Sequence, residues 1–542
     1  MSKKGETFST VTPEQVFAEY HRGITYKESL GRHGLTEQSR INERFYSGDQ
    51  WHGVNCGENR PLVRHNVIKR IGDYKMAIVA SSPVSVQFSA EGVPNTLELR
   101  GRVEAIRRHM QEGAMVGEIT AEEEAQTVAG ALTDYFATTS RRLGLDTLGR
   151  HALRNAYISG TGVLYTYWDD RVRTGLYADI SRTKPICGDI ACEVLEIEHV
   201  TVGDPFIEDL QQQPYILVSQ RKPAECLQRL AKQHGSADWR SIRPDEGGED
   251  MSAHATLITR FWKEWNEDGT ACTVKAMQVC RGAVVRPAWD MGVRLYPLSA
   301  FKWEEKRCRA YGESEIPYLI PNQIAINRTV SAGVWAVMMM GMPIMLVNGD
   351  VVTQPITNDP GQIIPVYGSG EEVQNAVRYV DPPAFSAQLD ANVQSLISDT
   401  MTQAGVSSTL LGDIMPTNAS AILAVREASL MPLQMVQNRY FRFLEETARI
   451  WCEFWLAMYG NRALKIQQAD SIWYMPFNAD KYRDMLLSIT VDVGNGSQYS
   501  ESRSVETLDN LYTNGVITAK QYLSRLPQGY VPKLDSLLQE LK

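Results

Sequence analysis

Nine histidines, eight cysteines and a few paired acids are the residues with which this 542-residue chain could do chemistry. All nine histidines precede residue 255 and none pairs at metal-ligand spacing. His65 and His151 lie on amphipathic segments, where a lone imidazole reads as structural. The cysteines lie far apart with no C-x-x-C pair, and even Cys187 and Cys192 miss a zinc spacing, so they read as reduced thiols of a chain made in a cytoplasm. Asp169-Asp170 reads as a solvated turn, and Glu122-Glu123-Glu124 as a charge run at a helix start. There is no phosphate-cradling G-x-x-x-x-G-K-[ST] loop, no H-E-x-x-H and no G-x-S-x-G. Gly160-Thr161-Gly162 lacks the third glycine of a dinucleotide fingerprint and reads as a helix-to-strand turn. Phe261-Trp262 with Trp265, and Trp451 with Trp455, could stack bases. Only Arg439, Arg442 and Arg449 surround the second pair, which favours packing. Met338-Met339-Met340 reads as adaptable packing at an interface. The expectation is a protein with no catalytic, cofactor-binding or metal-ligating residue. The competing expectation is a cytoplasmic multidomain enzyme whose site the sequence hides.

The elements that would position a site follow from composition and pattern. This length is too great for one core and predicts roughly two to four domains. Hydrophobic residues make up 43% and charged residues 22%, as in a globular chain, and the net charge of -9 argues against a coat on nucleic acid. No apolar run follows the first residues, so no signal peptide is expected. Residues 330–347 carry no charge and reach the lower limit for a membrane span. Gly341 and Pro343 interrupt the run, Asn348-Gly349 turns it, and only Arg328 flanks it, so a buried subunit-interface helix is expected in place of a membrane channel.

Residues 1–40 are polar and read as an arm. Helices are expected over 41–51, 66–79, 121–142 and 145–158, and strands over 84–88 and 163–168. The stretch 91–119 reads as a loop-prone insertion, and 235–250 as a mobile loop. Between them and beyond, 186–303 is strand-rich, with candidates at 190–198, 215–220, 256–264 and 271–280 and one helix after Pro223. Pro317, with Ser314 as N-cap, opens a helix of about six turns that Pro343 stops. Asn348-Gly349 signals a hairpin pairing 344–347 with 350–352, and 363–367 reads as a further strand. A helix from Phe385 to Met401 ends at Gly405, and a loop spans 405–417. The longest helix covers roughly 418–458 with Pro432 inside it, on an apolar stripe of Ile422, Val425, Leu433, Val436, Tyr440, Leu444, Trp451, Trp455 and Met458. A strand over 488–493 and two short helices complete the chain.

From 329 to 425 there is one basic residue, Arg378, against eight acids: Asp350, Asp359, Glu371, Glu372, Asp381, Asp390, Asp399 and Asp413. Gripping nucleic acid needs the reverse balance, so this stretch suits a surface beside which DNA slides without binding. The order from 311 to 476 is helix, small β-module, helix, loop, long kinked helix, strand. This resembles the portal proteins, or head-to-tail connectors, of tailed double-stranded DNA phages. Local strings resemble that family too: Phe45-Tyr46-Ser47-Gly48-Asp49-Gln50-Trp51, Asn66-Val67-Ile68 running on to Ser82-Pro83-Val84, Asn155 through Gly162, Gly203-Asp204-Pro205, and Pro321-Asn322-Gln323 with Ile326-Asn327.

The resemblance implies an α+β portal fold: a mixed α/β wing, a two-helix stem, a small α/β clip, a long kinked helix and a short helical crown. Its segments would be an N-terminal arm at 1–40, wing at 41–312, first stem helix at 313–340, clip at 341–384 and second stem helix at 385–404. A tunnel loop would follow at 405–417, the long helix returning to the wing at 418–476, and a wing strand with short crown at 477–542. It implies a twelve-subunit ring at one capsid vertex of the virion, serving as channel for genome packaging and ejection. Its partners would be copies of itself, the terminase large subunit, the head-to-tail connector or adaptor, the major capsid protein with or without scaffold, and double-stranded DNA passing non-specifically. Ring contacts are expected at Val330, Val334 and Val337. Partner contacts are expected at Asn348, Gly349, Asp350, Asp359, Glu371 and Glu372 in the clip. Ser407, Ser408, Thr409, Leu410 and Leu411 would face DNA in the tunnel loop.

Overall fold

The computed structural model describes residues 11–55, 60–81, 85–90, 121–177, 183–245, 253–266, 268–269, 271–341, 345–352, 354–356, 363–379, 388–406, 419–468, 471–482, 487–492, 508–514, 518 and 522–523. The chain is α+β and divides into two compact units. The first comprises Met1–Arg40, Asp73–Glu315 and Pro416–Lys542; the second, Ile41–Gly72 and Ile316–Met415. Residues 41–72, grouped above with the wing, thus cluster with 316–415.

The first unit is built on antiparallel sheets. Five strands, Val200–Val202, Tyr215–Pro223, His254–Trp265, Cys272–Cys280 and Ala283–Asp290, pair in chain order. Consecutive residues Leu257 and Ile258 fall into different apolar clusters, as the period of two in a strand requires. Leu257 packs with Leu227 and Ala231 of the helix Ala224–Gln233, and Ile258 with Val16 of the helix Pro13–Ser29. The expected arm is therefore corrected: residues 13–29 are a helix covering one face of this sheet. Thr12 and Gln15 form a capping box at its start, and Glu19 holds the Arg260 guanidinium through two bonds of 2.8 and 3.2 Å. Lys27 on the same helix is buried, and its ammonium donates to the carbonyls of Ile197 (2.8 Å) and Glu198 (3.0 Å). Desolvation lowers its pKa to about 7.

A second sheet orders Pro185–Leu195, Thr161–Tyr177 and Leu298–Lys302. Helices Ala121–Leu143, Leu145–Ser159 and Ala419–Met458 supply its aromatic core. Trp451 meets Phe136 and Trp455 meets Tyr135, each at 5.0 Å between ring centroids. Both tryptophans are fully buried, so they pack and stack no bases. The forty-residue helix is about 60 Å long and contains Pro432. Leu433, Val436, Tyr440 and Leu444 of the expected stripe are buried, while Met458, the last residue of the helix, is exposed, a correction to that stripe. Phe443 and Phe454 also fill the core.

Gly160-Thr161-Gly162 makes the helix-to-strand turn. Gly160 has φ +89°, and a Cβ on Gly162 would lie 2.0 Å from the Ala152 carbonyl oxygen. Ser85–Ala90 pairs with Leu487–Asp492, and Asn461–Gln468 forms a hairpin with Ser471–Asn478 where a single strand was expected after the long helix. Of the proposed mobile loop, Ala237–Ser241 is a 3-10 helix; the insertion at 91–119 lies outside the described residues. Ser314, expected as an N-cap, donates its hydroxyl to the Tyr157 carbonyl at 2.5 Å, and the following helix begins at Ile316.

Among the described residues, no helix is long and apolar enough to cross a membrane, and Cys187, Cys192, Cys226, Cys272, Cys280, Cys308 and Cys452 are free thiols.

Candidate functional site

The second unit carries the candidate stem and clip. Its main element is the helix Ile316–Gly341, whose only charged residue is Arg328. It packs against Gln388–Gln403, and Asn322 near the start of the first helix donates to Gln403 at the end of the second (3.3 Å), so the two run antiparallel. Gly405 ends the second helix at φ +72°. Its N–H binds the Thr402 carbonyl, and the Val406 N–H binds that of Met401 (both 2.9 Å), which is a Schellman closure.

Ile316, Leu319 and Ile326 are buried. Beyond Thr329 the same helix turns apolar side chains outward: Val334 is 38% exposed, Val337 57% and Met338 46%, with Val330 partly buried. Positions 330, 334, 337 and 338 share one face at helical spacing. Asp390 and Asp399 on the neighbouring helix are exposed.

The candidate clip departs from the expected hairpin. Met345–Val347 pairs antiparallel with Val377–Tyr379, and not with 350–352. Asn348-Gly349 does turn the chain, since the Asn348 side chain accepts the Asp350 N–H (3.1 Å) and its carbonyl accepts the N–H groups of Val351 and Val352. Val351 and Val352 then fold inward, buried against Ala376, Ile356, Ile364 and Val366. Burial of that pair outweighs the strand continuation that its β-branched side chains suggested. Residues 363–367, expected as a strand, lie on this small core without strand pairing. Asn348, Gly349, Asp350 and Glu371 are all exposed; Glu372 lies in the short helix Gly370–Gln374, and Asp359 falls outside the described residues. The five tunnel-loop residues, Ser407, Ser408, Thr409, Leu410 and Leu411, also lie outside them.

Sequence reasoning missed a buried polar network that joins three of the quoted strings. Asn327 donates to Gln50 Oε1 (2.5 Å), and its own oxygen accepts from the His65 N–H and Gln323 Nε2 (3.0 Å each). Gln323 Oε1 caps the helix Val67–Ser81 by accepting from the Val67 and Ile68 N–H groups at 2.9 and 3.3 Å. Asn66 donates to the Tyr46 carbonyl (2.9 Å), Trp51 to that of Val63 (3.0 Å), and the Ser331 hydroxyl accepts the Val63 N–H (3.0 Å). This network seats residues 46–51 and 63–68 along the same helix that exposes Val334 and Val337. Its signal in the sequence was the amide-rich Asn322-Gln323 and Asn327, which polar spacing alone does not pair.

The paired acids do not converge. Asp169 accepts the Arg171 N–H and Asp170 accepts the Trp168 indole N–H, both local bonds. Among the described residues, no group of three or more His, Cys, Asp or Glu is placed to hold a metal. In the first unit, desolvation raises the Glu446 pKa to about 7, and Gln211 donates to that carboxyl at 3.2 Å. No protein-family model and no curated protein matches this sequence.

Proposed function

We propose that this chain is a portal protein, the subunit of a closed twelve-membered ring at one vertex of a tailed-phage capsid. The observation that carries the reading is the exposed, charge-free face of Ile316–Gly341 at Val330, Val334, Val337 and Met338. A lone chain would not keep such a face in water, and a neighbouring copy offers it cover. A rotation-closed contact of this face with a different face of the next copy closes a ring without leaving open ends.

The antiparallel pair Ile316–Gly341 and Gln388–Gln403 would be the stem, and the α/β module from Met345 to Tyr379 the clip. The exposed acids Asp350 and Glu371 suit a basic partner surface, as the terminase large subunit or the head-to-tail connector would present. Arg378 is the only cation between 329 and 425, which suits a channel wall that lets duplex DNA pass without gripping phosphate. Residues 407–411 would form the constriction nearest that DNA. The protein would supply no catalysis; movement of DNA would be driven by the docked motor.

The experiment is assembly of the purified full chain. A closed ring of several hundred kilodaltons supports the reading, and a stable monomer or dimer sinks it. Deleting Ser407 to Leu411 should leave rings intact and impair DNA packaging or retention, and normal packaging would reject the tunnel-loop role.

A further inference from the structure

In the first unit a cavity of about 540 Å³ opens beside the helix Ala121–Leu143 and the strands Thr161–Tyr177 and Pro185–Leu195. Among the described residues, four arginines line it, Arg141, Arg142, Arg173 and Arg462, with one carboxylate, Asp189. That carboxylate is already committed. It pairs with Arg142 at 3.0 Å and accepts the Tyr459 hydroxyl at 2.6 Å and the Ile190 N–H at 2.8 Å.

The arginines are not equally satisfied. Arg462 is only 8% exposed, donates Nη1 to the Gly188 carbonyl (3.2 Å) and stacks on Tyr459. Its Nη2 is buried with no hydrogen-bond partner among the described residues, which is costly for a charged donor. Arg173 is exposed and makes no side-chain hydrogen bond or ion pair with the described residues. It sits between two register shifts in the pairing of Thr161–Tyr177 with Pro185–Leu195, the kind of irregularity that re-aims a side chain. Thr138, Thr139 and Thr174 add hydroxyls to the wall.

Arg173 and Arg462 bring two guanidinium charges to this concavity with no carboxylate partner among the described residues, and an anion between them would relieve their repulsion. Guanidinium forks match the oxygens of phosphate better than those of any other common anion group. We infer that this cavity binds a phosphate group, carried either by a free phosphate anion or by the backbone of a nucleic acid. The inference is independent of the portal reading, because it rests on the first unit alone and would hold for a monomer as well as a ring.

The test titrates the full chain with pyrophosphate, and separately with a short DNA duplex, in chloride buffer free of sulfate and phosphate. Arg173→Glu and Arg141→Glu are the primary variants, since both side chains are exposed and circular dichroism can verify their folding. Arg462→Gln is secondary, because loss of its bond to Gly188 could unfold the hairpin. Saturable binding of one probe, weakened about tenfold or more in both primary variants, is the expected result. Displacement of pyrophosphate by the duplex assigns the phosphate to nucleic acid; binding of pyrophosphate without displacement assigns it to a free anion. Absence of saturable binding by both probes overturns the inference, as does an affinity that stays within about twofold in both variants.

Discussion

The side-chain amide of Asn327 donates to Gln50 Oε1 at 2.5 Å across 277 positions of sequence, and both residues are buried. Replacing Asn327 with Leu would leave Gln50, the His65 N–H and Gln323 each short of one bond. Buried polar groups stranded in this way cost about 2–4 kcal/mol in total. The midpoint of urea unfolding is expected to fall with little change in slope. An unchanged midpoint would mean that this network contributes nothing to stability.

Val334→Asp separates folding from assembly. The side chain is already 38% exposed in the single chain, so the substitution should cost the fold no more than about 2 kcal/mol. Between subunits the same carboxylate would be buried without a partner. Sedimentation velocity should find folded, unassembled chain where the unmodified protein is expected to give rings. Intact rings in this variant would remove the face at 330–338 from the interface.

Charge reversal in the proposed clip tests docking. Asp350→Lys combined with Glu371→Lys changes two exposed side chains that are not part of the small apolar core. Rings should form normally, while association with the head-to-tail connector should slow by about tenfold at low salt. Unaltered connector binding and a normal yield of filled heads would place the partner surface elsewhere.

Two buried groups give stability an unusual pH profile. Glu446 is raised to about 7 from an ordinary value of 4.5, so between these pH values the folded chain holds a proton that the unfolded chain has released. Its contribution is therefore present below 4.5 and lost as pH rises to 7. Lys27 is lowered to about 7 from 10.5, so between 7 and 10.5 the unfolded chain holds the extra proton, and stability rises with pH. Melting temperatures should show a trough near neutrality relative to the variants. Glu446→Gln should flatten the limb from 4.5 to 7, and Lys27→Met the limb from 7 to 10.5. Parallel pH profiles in the variants and the original chain would contradict these assignments.

Strongly periodic elements were legible before the fold was known. The expected helix at 66–79 is Val67–Ser81, and Pro317 and Gly405 do bound the two helices of the second unit. What escaped depended on distant partners. Lys27 reads as a solvated residue of an arm until the carbonyls of Ile197 and Glu198, some 170 positions away, are seen to receive it. Asn348-Gly349 announces a turn, but the strand that pairs with Met345–Val347 comes from 377–379, beyond the reach of a local signal. In Asn461–Gln468 the mixture of Arg, Lys and Gln hides the alternation that buries Leu464 and Ile466. The apolar face at Val334 was legible because charge is absent from 330 to 347, a property of composition that needs no partner to be read. The arginine cavity was not, since its residues come from four separate stretches of chain.

Electron microscopy of the purified full-length chain tests the central claim most directly. The account predicts closed rings with twelvefold symmetry around an axial channel, with Val334 and Val337 of each copy covered by its neighbour. A field of monomers or small open oligomers, or rings in which those two valines face solvent, would contradict it.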